Sequence, residues 1–172
     1  MEALDELQEH SHHASSDFDK RVAVTMAVIA ATLAIVAVLG HLETTEELLN
    51  QQRASDQWAF YQAKAIRRYQ SEVARDVLGG LGKIEAAQKY AGNMERYQKE
   101  SEEIQVKAKE FQSESDFAGR KALRLHIGEV FLEIAIVFAS LAILTKRTFL
   151  WLTAMGSALI GVAAAATQVL VK

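Results

Sequence analysis

Hydrophobic residues are concentrated in three long runs, and polar residues fill the stretches between them. Residues 22–40 and residues 148–171 contain no charged residue. Each run meets the ~20 apolar residues that a helix needs to cross about 30 Å of hydrocarbon. A third run, residues 125–144, has the right length and carries three ionisable side chains in its first half. The pattern predicts three transmembrane helices, over residues 21–40, 125–144 and 148–171.

The polar stretch between the first two runs has the composition of two long helices. Residues 41–78 lack Pro and Gly and are rich in the good helix formers Gln, Glu, Ala, Leu and Arg. Three of residues 79–82 are Gly, which can take the positive φ that a helix end and a reversal require. Residues 83–124 then resume the helical composition. We predict a long antiparallel, coiled-coil-like helical hairpin over residues 41–124, with its turn at residues 79–82.

Spacings that alternate between four and three residues predict the face on which the two hairpin arms meet. The predicted contact positions are Ala59, Ala63, Ile66, Gln70, Val73 and Val77 on the outgoing arm, and Ile84, Ala87, Ala91, Met94, Gln98 and Ser101 on the return arm. Many of these side chains are small or polar, so at ~25 cal/mol per Å² they bury too little area for a strong core. We therefore expect further copies of the chain to pack against the hairpin.

The amino-acid composition limits the classes of protein to which the chain can belong. Pro is absent, which favours continuous helices, and we predict an all-α membrane protein. Cys is absent as well, so disulfides, Cys-based metal sites and thiol chemistry are excluded. The formal net charge is −3 and no large basic cluster occurs, so we expect no nucleic-acid partner. No cofactor motif is present, and an enzyme is the least favoured class.

The first run is too long for a cleaved signal peptide, so we expect an uncleaved anchor.

Residues 54–64 read Ala-Ser-Asp-Gln-Trp-Ala-Phe-Tyr-Gln-Ala-Lys, and residues 2–10 read Glu-Ala-Leu-Asp-Glu-Leu-Gln-Glu-His. With these two stretches the chain resembles, over its whole length, a family of bacterial membrane proteins known only as a domain of unknown function. The resemblance implies a location in the bacterial inner membrane and carries no known activity.

Basic residues predict the orientation in the membrane. Lys20 and Arg21 precede the first span, and Lys146 and Arg147 belong to the short loop at residues 145–147. With three spans, both pairs lie on one side of the lipid bilayer, and the positive-inside rule places that side in the cytoplasm. Basic residues just before the second span argue for the reverse, but a long connection weakens the rule. We expect a cytoplasmic N-terminus and a periplasmic hairpin.

Three ionisable residues share one face at the start of the second predicted span. His126, Glu129 and Glu133 are spaced by about one helical turn each. Because an ionisable group in hydrocarbon costs several kcal/mol unless it is paired, wet or protonated, this face is a candidate path for protons or cations. The alternative is that Glu129 lies among lipid headgroups and Glu133 only packs.

Residues 1–20 form an acidic tail that contains His10, His12 and His13. Imidazole and carboxylate groups suit Zn²⁺, Ni²⁺ or Cu²⁺, so the tail is a weak candidate for metal binding. Adjacent His residues on a polar tail do not make a fixed site, and a solvated tail is the alternative.

Two further sets of residues are candidates for contacts between helices or proteins. An aromatic and basic patch in the hairpin fits a protein contact better than a ligand site. Small residues at every fourth position on the first and third spans allow helices to approach closely. The patch comprises Trp58, Phe60, Tyr61, Arg67 and Arg68, and the small residues are Ala23, Ala27 and Ala31 with Ser157, Gly161 and Ala165.

These features leave two classes of function. The first is a non-enzymatic, homo-oligomeric scaffold or accessory subunit that projects helical hairpins from the membrane, alone or within a larger membrane complex. The alternative is a small channel, or an ion-coupled membrane component, that conducts protons or cations past its intramembrane carboxylates.

Overall fold

A computed structural model of the protein describes residues 17–171, which form three α-helices and a short 3₁₀-helix. Helix α1 spans Asp17–Gly80, with 64 residues, and helix α2 spans Ile84–Thr145, with 62 residues. Helix α3 spans Thr148–Ala166, and the 3₁₀-helix Thr167–Leu170 follows it. Within residues 17–171 the chain is therefore all-helical, as predicted from the lack of Pro.

Each of the three helical segments contains a stretch long and apolar enough to cross a membrane. Among the described residues these segments are Asp17–Gly80, Ile84–Thr145 and Thr148–Leu170. The three apolar runs of the sequence thus lie in three separate helices. The first two helices continue far beyond their apolar runs without a break.

Backbone geometry at two short connections ends the long helices. After α1, the amide of Lys83 donates to the carbonyl of Leu78 at 2.9 Å, and Gly82 takes a φ of +73°. A left-handed Gly that caps a helix in this way is a common stop signal. Between α2 and α3, Lys146 takes a φ of +56° and reverses the chain.

The chain divides into two compact units. One, the span unit, consists of residues 17–44 and 120–171, and the other, the arm unit, consists of Thr45–Gly119. In the span unit two apolar clusters form the core. The buried side chains of the first are Ile29, Val36, Leu125, Leu132, Ala135 and Ala165, and those of the second are Val22, Ala139, Ala142 and Ala154.

In the arm unit the two helical arms contact each other at several points. Near one end, Ser115 donates its hydroxyl hydrogen to the carbonyl of Glu47 at 3.0 Å, and further along Lys64 forms an ion pair with Glu100. Asn50, Ala54 and Ser71 are the buried residues of the α1 arm. Small and polar side chains therefore occupy the centre of this contact.

The contact positions predicted for the outgoing arm are wrong. Ala59, Ala63, Ile66, Gln70, Val73 and Val77 are all exposed. On the return arm the prediction is mixed, since Ala87 and Ser101 are buried, Met94 and Gln98 are half-buried, and Ile84 and Ala91 are exposed. The α1 arm carries a second series with the same spacing, offset around the helix and more polar, whose members are buried or half-buried: Asn50, Ala54, Gln57, Tyr61, Lys64, Arg68, Ser71, Arg75 and Leu78.

Candidate functional site

Charged and aromatic side chains connect the two arms on the faces that they turn toward each other, which we call the inner face. Lys64 forms its ion pair with Glu100, and its ammonium group also lies 5.5 Å from the centre of the Tyr97 ring. Arg68 donates a hydrogen bond to Gln98. The hydrogen bond from Lys64 lowers the pKa of Glu100, with a smaller Coulombic contribution from the same ammonium, while burial acts in the opposite direction. Polar contacts therefore take the place of an apolar seam between the arms.

The opposite face of the α1 arm carries apolar side chains that nothing in the arm unit covers. We call Ala59, Ala63, Ile66, Gln70, Val73 and Val77 the outer stripe. Exposure reaches 57% for Ile66, 62% for Val73 and 56% for Val77. Tyr69 lies beside the stripe and is also exposed. A continuous stripe of this kind is a candidate interaction surface, because exposed apolar patches in folded proteins commonly mark contacts with a partner.

The predicted aromatic and basic patch divides between the inner and outer faces. Trp58 and Tyr61 meet edge to face, with ring centres 5.6 Å apart, and both are half-buried. Phe60 and Arg67 are exposed. Arg68 contributes to the contact between the arms and also lies 5.2 Å from the centre of the Tyr69 ring. The five residues therefore do not form one site.

A chain of hydrogen bonds passes through His126 in the span unit. The Thr44 hydroxyl donates to the carbonyl of Gly40 at 2.9 Å, and its oxygen lies 3.1 Å from His126 Nε2. On the other side of the ring, Nδ1 lies 3.0 Å from a carboxylate oxygen of Glu129. Both ring nitrogens thus lie within hydrogen-bonding distance of side-chain oxygens, one of Thr44 and one of Glu129. Two of the three predicted intramembrane polar residues are brought together here.

Glu133, the third of these residues, lies outside that chain of hydrogen bonds. Its side chain is exposed on the surface of α2 and makes no hydrogen bond or ion pair with any residue from 17 to 171. Its neighbours along the same face are apolar, including Val130 and Val137, which are also exposed. Because an ionised carboxylate is costly in hydrocarbon, contact with water, a cation or another protein would stabilise Glu133 if this segment crosses a bilayer.

The two predicted ladders of small residues have different surroundings. On α3, Ser157 donates its hydroxyl hydrogen to the carbonyl of Phe131 at 2.7 Å, and Gly161 and Ala165 are buried against α2. On α1, Ala23, Ala27 and Ala31 are all exposed. The first ladder packs helices within the chain, whereas the second is left on the surface of the span unit.

No metal site is found in the part of the chain that the structure covers. Residues 17–171 contain no group of three or more His, Asp or Glu side chains that is placed to hold an ion. His10, His12 and His13 lie outside the described residues.

Comparison with known proteins places the chain in a family. The sequence profile of a domain of unknown function, DUF4337, matches residues 18–171, which include all three helices. No curated protein matches the chain, and no solved structure matches it. Because the match extends over nearly the whole length, the protein belongs to the DUF4337 family.

Proposed function

We propose that the protein is a homo-oligomeric scaffold of the bacterial inner membrane, in which helical hairpins anchored by three transmembrane helices associate through the outer stripe. The observation that carries this proposal is the exposure of Ile66, Val73 and Val77 on one face of the α1 arm. Leaving such side chains in water forfeits about 1.5–3 kcal/mol for each one that could be fully buried.

A second copy of the chain is the occupant that the stripe fits best. Its positions alternate by four and three residues, which is the repeat that places side chains on one seam of a two-helix coiled coil. Copies inserted in one bilayer with the same orientation present their α1 arms in parallel, so the stripe of one copy can meet the stripe of the next in register.

Charges beside the stripe are compatible with a parallel pair. In that register Gln62 lies near Arg67 of the second copy, and Tyr69 lies near its Ala74, so these flanking positions create no like-charge contact. Gln70 is the polar member of the stripe. A polar residue at a single central position of a coiled coil fixes its register and the number of strands at some cost in stability.

The test is the mass of purified wild-type and variant protein in a mild detergent. Wild-type protein should exceed the 19.0 kDa of one chain by an integer factor. Val73→Glu should shift the mass toward the monomer, because it places like charges opposite each other in the seam. Val106→Glu is the matched control, since Val106 is 66% exposed and lies on the return arm, away from the stripe.

Two results contradict the scaffold proposal. The first is wild-type protein that is monomeric in several mild detergents and in nanodiscs. The second is a Val73→Glu variant with the same mass as wild type. Purification of the native complex from membranes then shows whether other proteins accompany the oligomer.

The exposed carboxyl of Glu133 supports a second candidate function, a path for protons or cations formed between copies. In an assembly, Glu133 could face a water-filled interface between copies instead of lipid, which would remove the cost of placing its carboxylate in hydrocarbon. Wild-type protein in liposomes should then conduct ions. Glu133→Gln should abolish the flux, whereas Glu110→Gln in the arm unit should leave it unchanged. Wild-type liposomes without proton, Na⁺ or K⁺ flux under an imposed potential would exclude this function.

A further inference from the structure

A groove with basic and apolar walls lies in the span unit, where α2 passes the end of the third apolar segment. Its volume is about 690 Å³. The guanidinium groups come from Arg120 and Arg124, which are one turn apart on α2. The apolar wall is formed by Leu123, Ile127, Leu170 and Val171.

Arg124 is the residue best placed to bind an anion in this groove. It is exposed and forms no hydrogen bond or ion pair with any residue from 17 to 171. The residues that line the groove include two Arg and no Asp or Glu, so the polar end of the groove has net positive charge.

Phosphate is an anion that suits this site. The planar guanidinium group of Arg124 presents a fork of N–H donors that can contact two oxygens of one phosphate. A carboxylate offers the same two acceptor oxygens, so the choice of phosphate rests on the position of Arg124 beside the apolar run.

The apolar wall indicates that the phosphate belongs to a lipid. Arg124 directly precedes the apolar run of α2, so its guanidinium lies at the level where phosphates of a bilayer are found, if that run crosses a membrane. Ile127 is one turn further into the run, and Leu170 and Val171 come from the end of the third segment. A free phosphate ion would gain nothing from these side chains, whereas an acyl chain would lie against them.

We propose that this groove is a binding site for an anionic phospholipid, with the headgroup phosphate at Arg124 and an acyl chain along Ile127 and Leu170. The site rests on the membrane location in the proposed function, but not on oligomer formation. Basic pockets between transmembrane helices hold anionic headgroups on the cytoplasmic or matrix side of membranes, and this groove would do the same at the hairpin end of the spans.

Full-length protein in nanodiscs that contain phosphatidylcholine and phosphatidylglycerol provides the test. After extraction into mild detergent, native mass spectrometry counts the lipids that remain bound. Wild-type protein should retain phosphatidylglycerol in preference to phosphatidylcholine. Arg124→Gln should reduce that retention about tenfold, which corresponds to about 1.4 kcal/mol, the scale of one lost charge-assisted contact. Arg124→Lys, which keeps the charge but loses the fork, should fall between the two.

Lys89→Gln is the matched control, because it removes one positive charge from an exposed position in the arm unit. Its retention of phosphatidylglycerol should equal that of wild type. Glycerophosphoglycerol, which is the same headgroup without acyl chains, should fail to displace the lipid.

Each part of the proposal has an outcome that overturns it. Equal retention by wild type and Arg124→Gln would mean that the groove does not bind the headgroup. Displacement by glycerophosphoglycerol would assign the site to a soluble phosphate compound. Failure of wild-type protein to enter nanodiscs of phosphatidylcholine alone would instead contradict the membrane location, so the two failures are distinguishable.

Discussion

Gly161 of α3 lies so close to Gly128 of α2 that neither position has room for a side chain. A Cβ on Gly161 would be 2.8 Å from the carbonyl oxygen of Gly128, and a Cβ on Gly128 would be 2.7 Å from the carbonyl oxygen of Gly161. Because both obstacles are backbone atoms, they cannot rotate away. Ser157 donates to the carbonyl of Phe131 one turn along the same contact. Close backbone approach is thus the main feature of the contact between these two helices.

Gly161→Ala should destabilise the packing of α3 against α2 by about 1–3 kcal/mol, the usual cost of forcing an extra methyl group into a tight contact. Gly156→Ala provides the control, since a Cβ on Gly156 meets nothing within 4 Å. That substitution should be neutral or slightly stabilising, because Ala favours the helix more than Gly does. Unfolding in mixed micelles measures both effects. Equal stability of the two variants would mean that the close contact between Gly161 and Gly128 does not stabilise the packing of α3 on α2.

The sequence indicated the helices and the apolar segments correctly, because length and composition alone determine them. The ladder Ser157, Gly161 and Ala165 packs against α2, whereas Ala23, Ala27 and Ala31 have the same spacing and are exposed. Spacing alone therefore does not say which small residues pack within the chain. The inner face of the arms could not be identified from spacing either. The α1 arm carries two series with the same spacing, and the more apolar series is the exposed one.

Long polar side chains explain why the more polar series can face inward. Lys64 and Arg68 are half-buried, and their charged ends reach Glu100, Gln98 and the ring of Tyr97. Side chains of this kind can bury their aliphatic stems while the charge stays paired. Periodicity cannot distinguish such a contact from a solvated face, because the partner residues are far away in the sequence. The groove at Arg124 was missed for the same reason, since its walls come from two distant segments.

Orientation in the membrane is testable at Gly80, because the chain has no native Cys. A Cβ at this position meets nothing within 4 Å, whereas Gly82 has a positive φ that a Cys would strain. If the hairpin is periplasmic, Gly80→Cys should react with a membrane-impermeant thiol reagent in intact cells, and Thr145→Cys should react only after lysis. The reverse labelling pattern would place the N-terminus outside the cytoplasm.

Acid should weaken the contact between the arms through Glu100. The pKa of this carboxyl lies below its ordinary value of 4.5 because Lys64 donates a hydrogen bond to it. A depressed folded-state pKa contributes stability above the unfolded-state pKa, and that contribution is lost as the pH falls through the folded-state pKa. The unfolding temperature of the arms should therefore fall as the pH drops below the ordinary pKa of 4.5.

Glu100→Gln should reduce this acid dependence and lower the stability at neutral pH, since it removes the ion pair with Lys64. Glu110→Gln is the control at an exposed position on the same helix, and it should leave the acid dependence unchanged. Circular dichroism of the full chain at several pH values gives the unfolding temperature. If all three proteins lose stability in parallel on acidification, the cross-arm ion pair is not the cause.

Cross-linking at Gln70 tests how two copies meet. In a parallel pair that is in register, each position of the outer stripe faces itself, and a disulfide forms when two Cα atoms are about 4.4–6.8 Å apart. Gln70→Cys and Val77→Cys should therefore both give a covalent dimer on mild oxidation. Gln88→Cys, at an exposed position on the return arm, should give little covalent dimer.

In an antiparallel pair, at most one of the two stripe positions can face itself, so dimer formation by only one of them would exclude the parallel register. Efficient cross-linking at Gln88 alone would place the interface on the return arm. The exposure of Ile66, Val73 and Val77 would then not be explained by contact between copies.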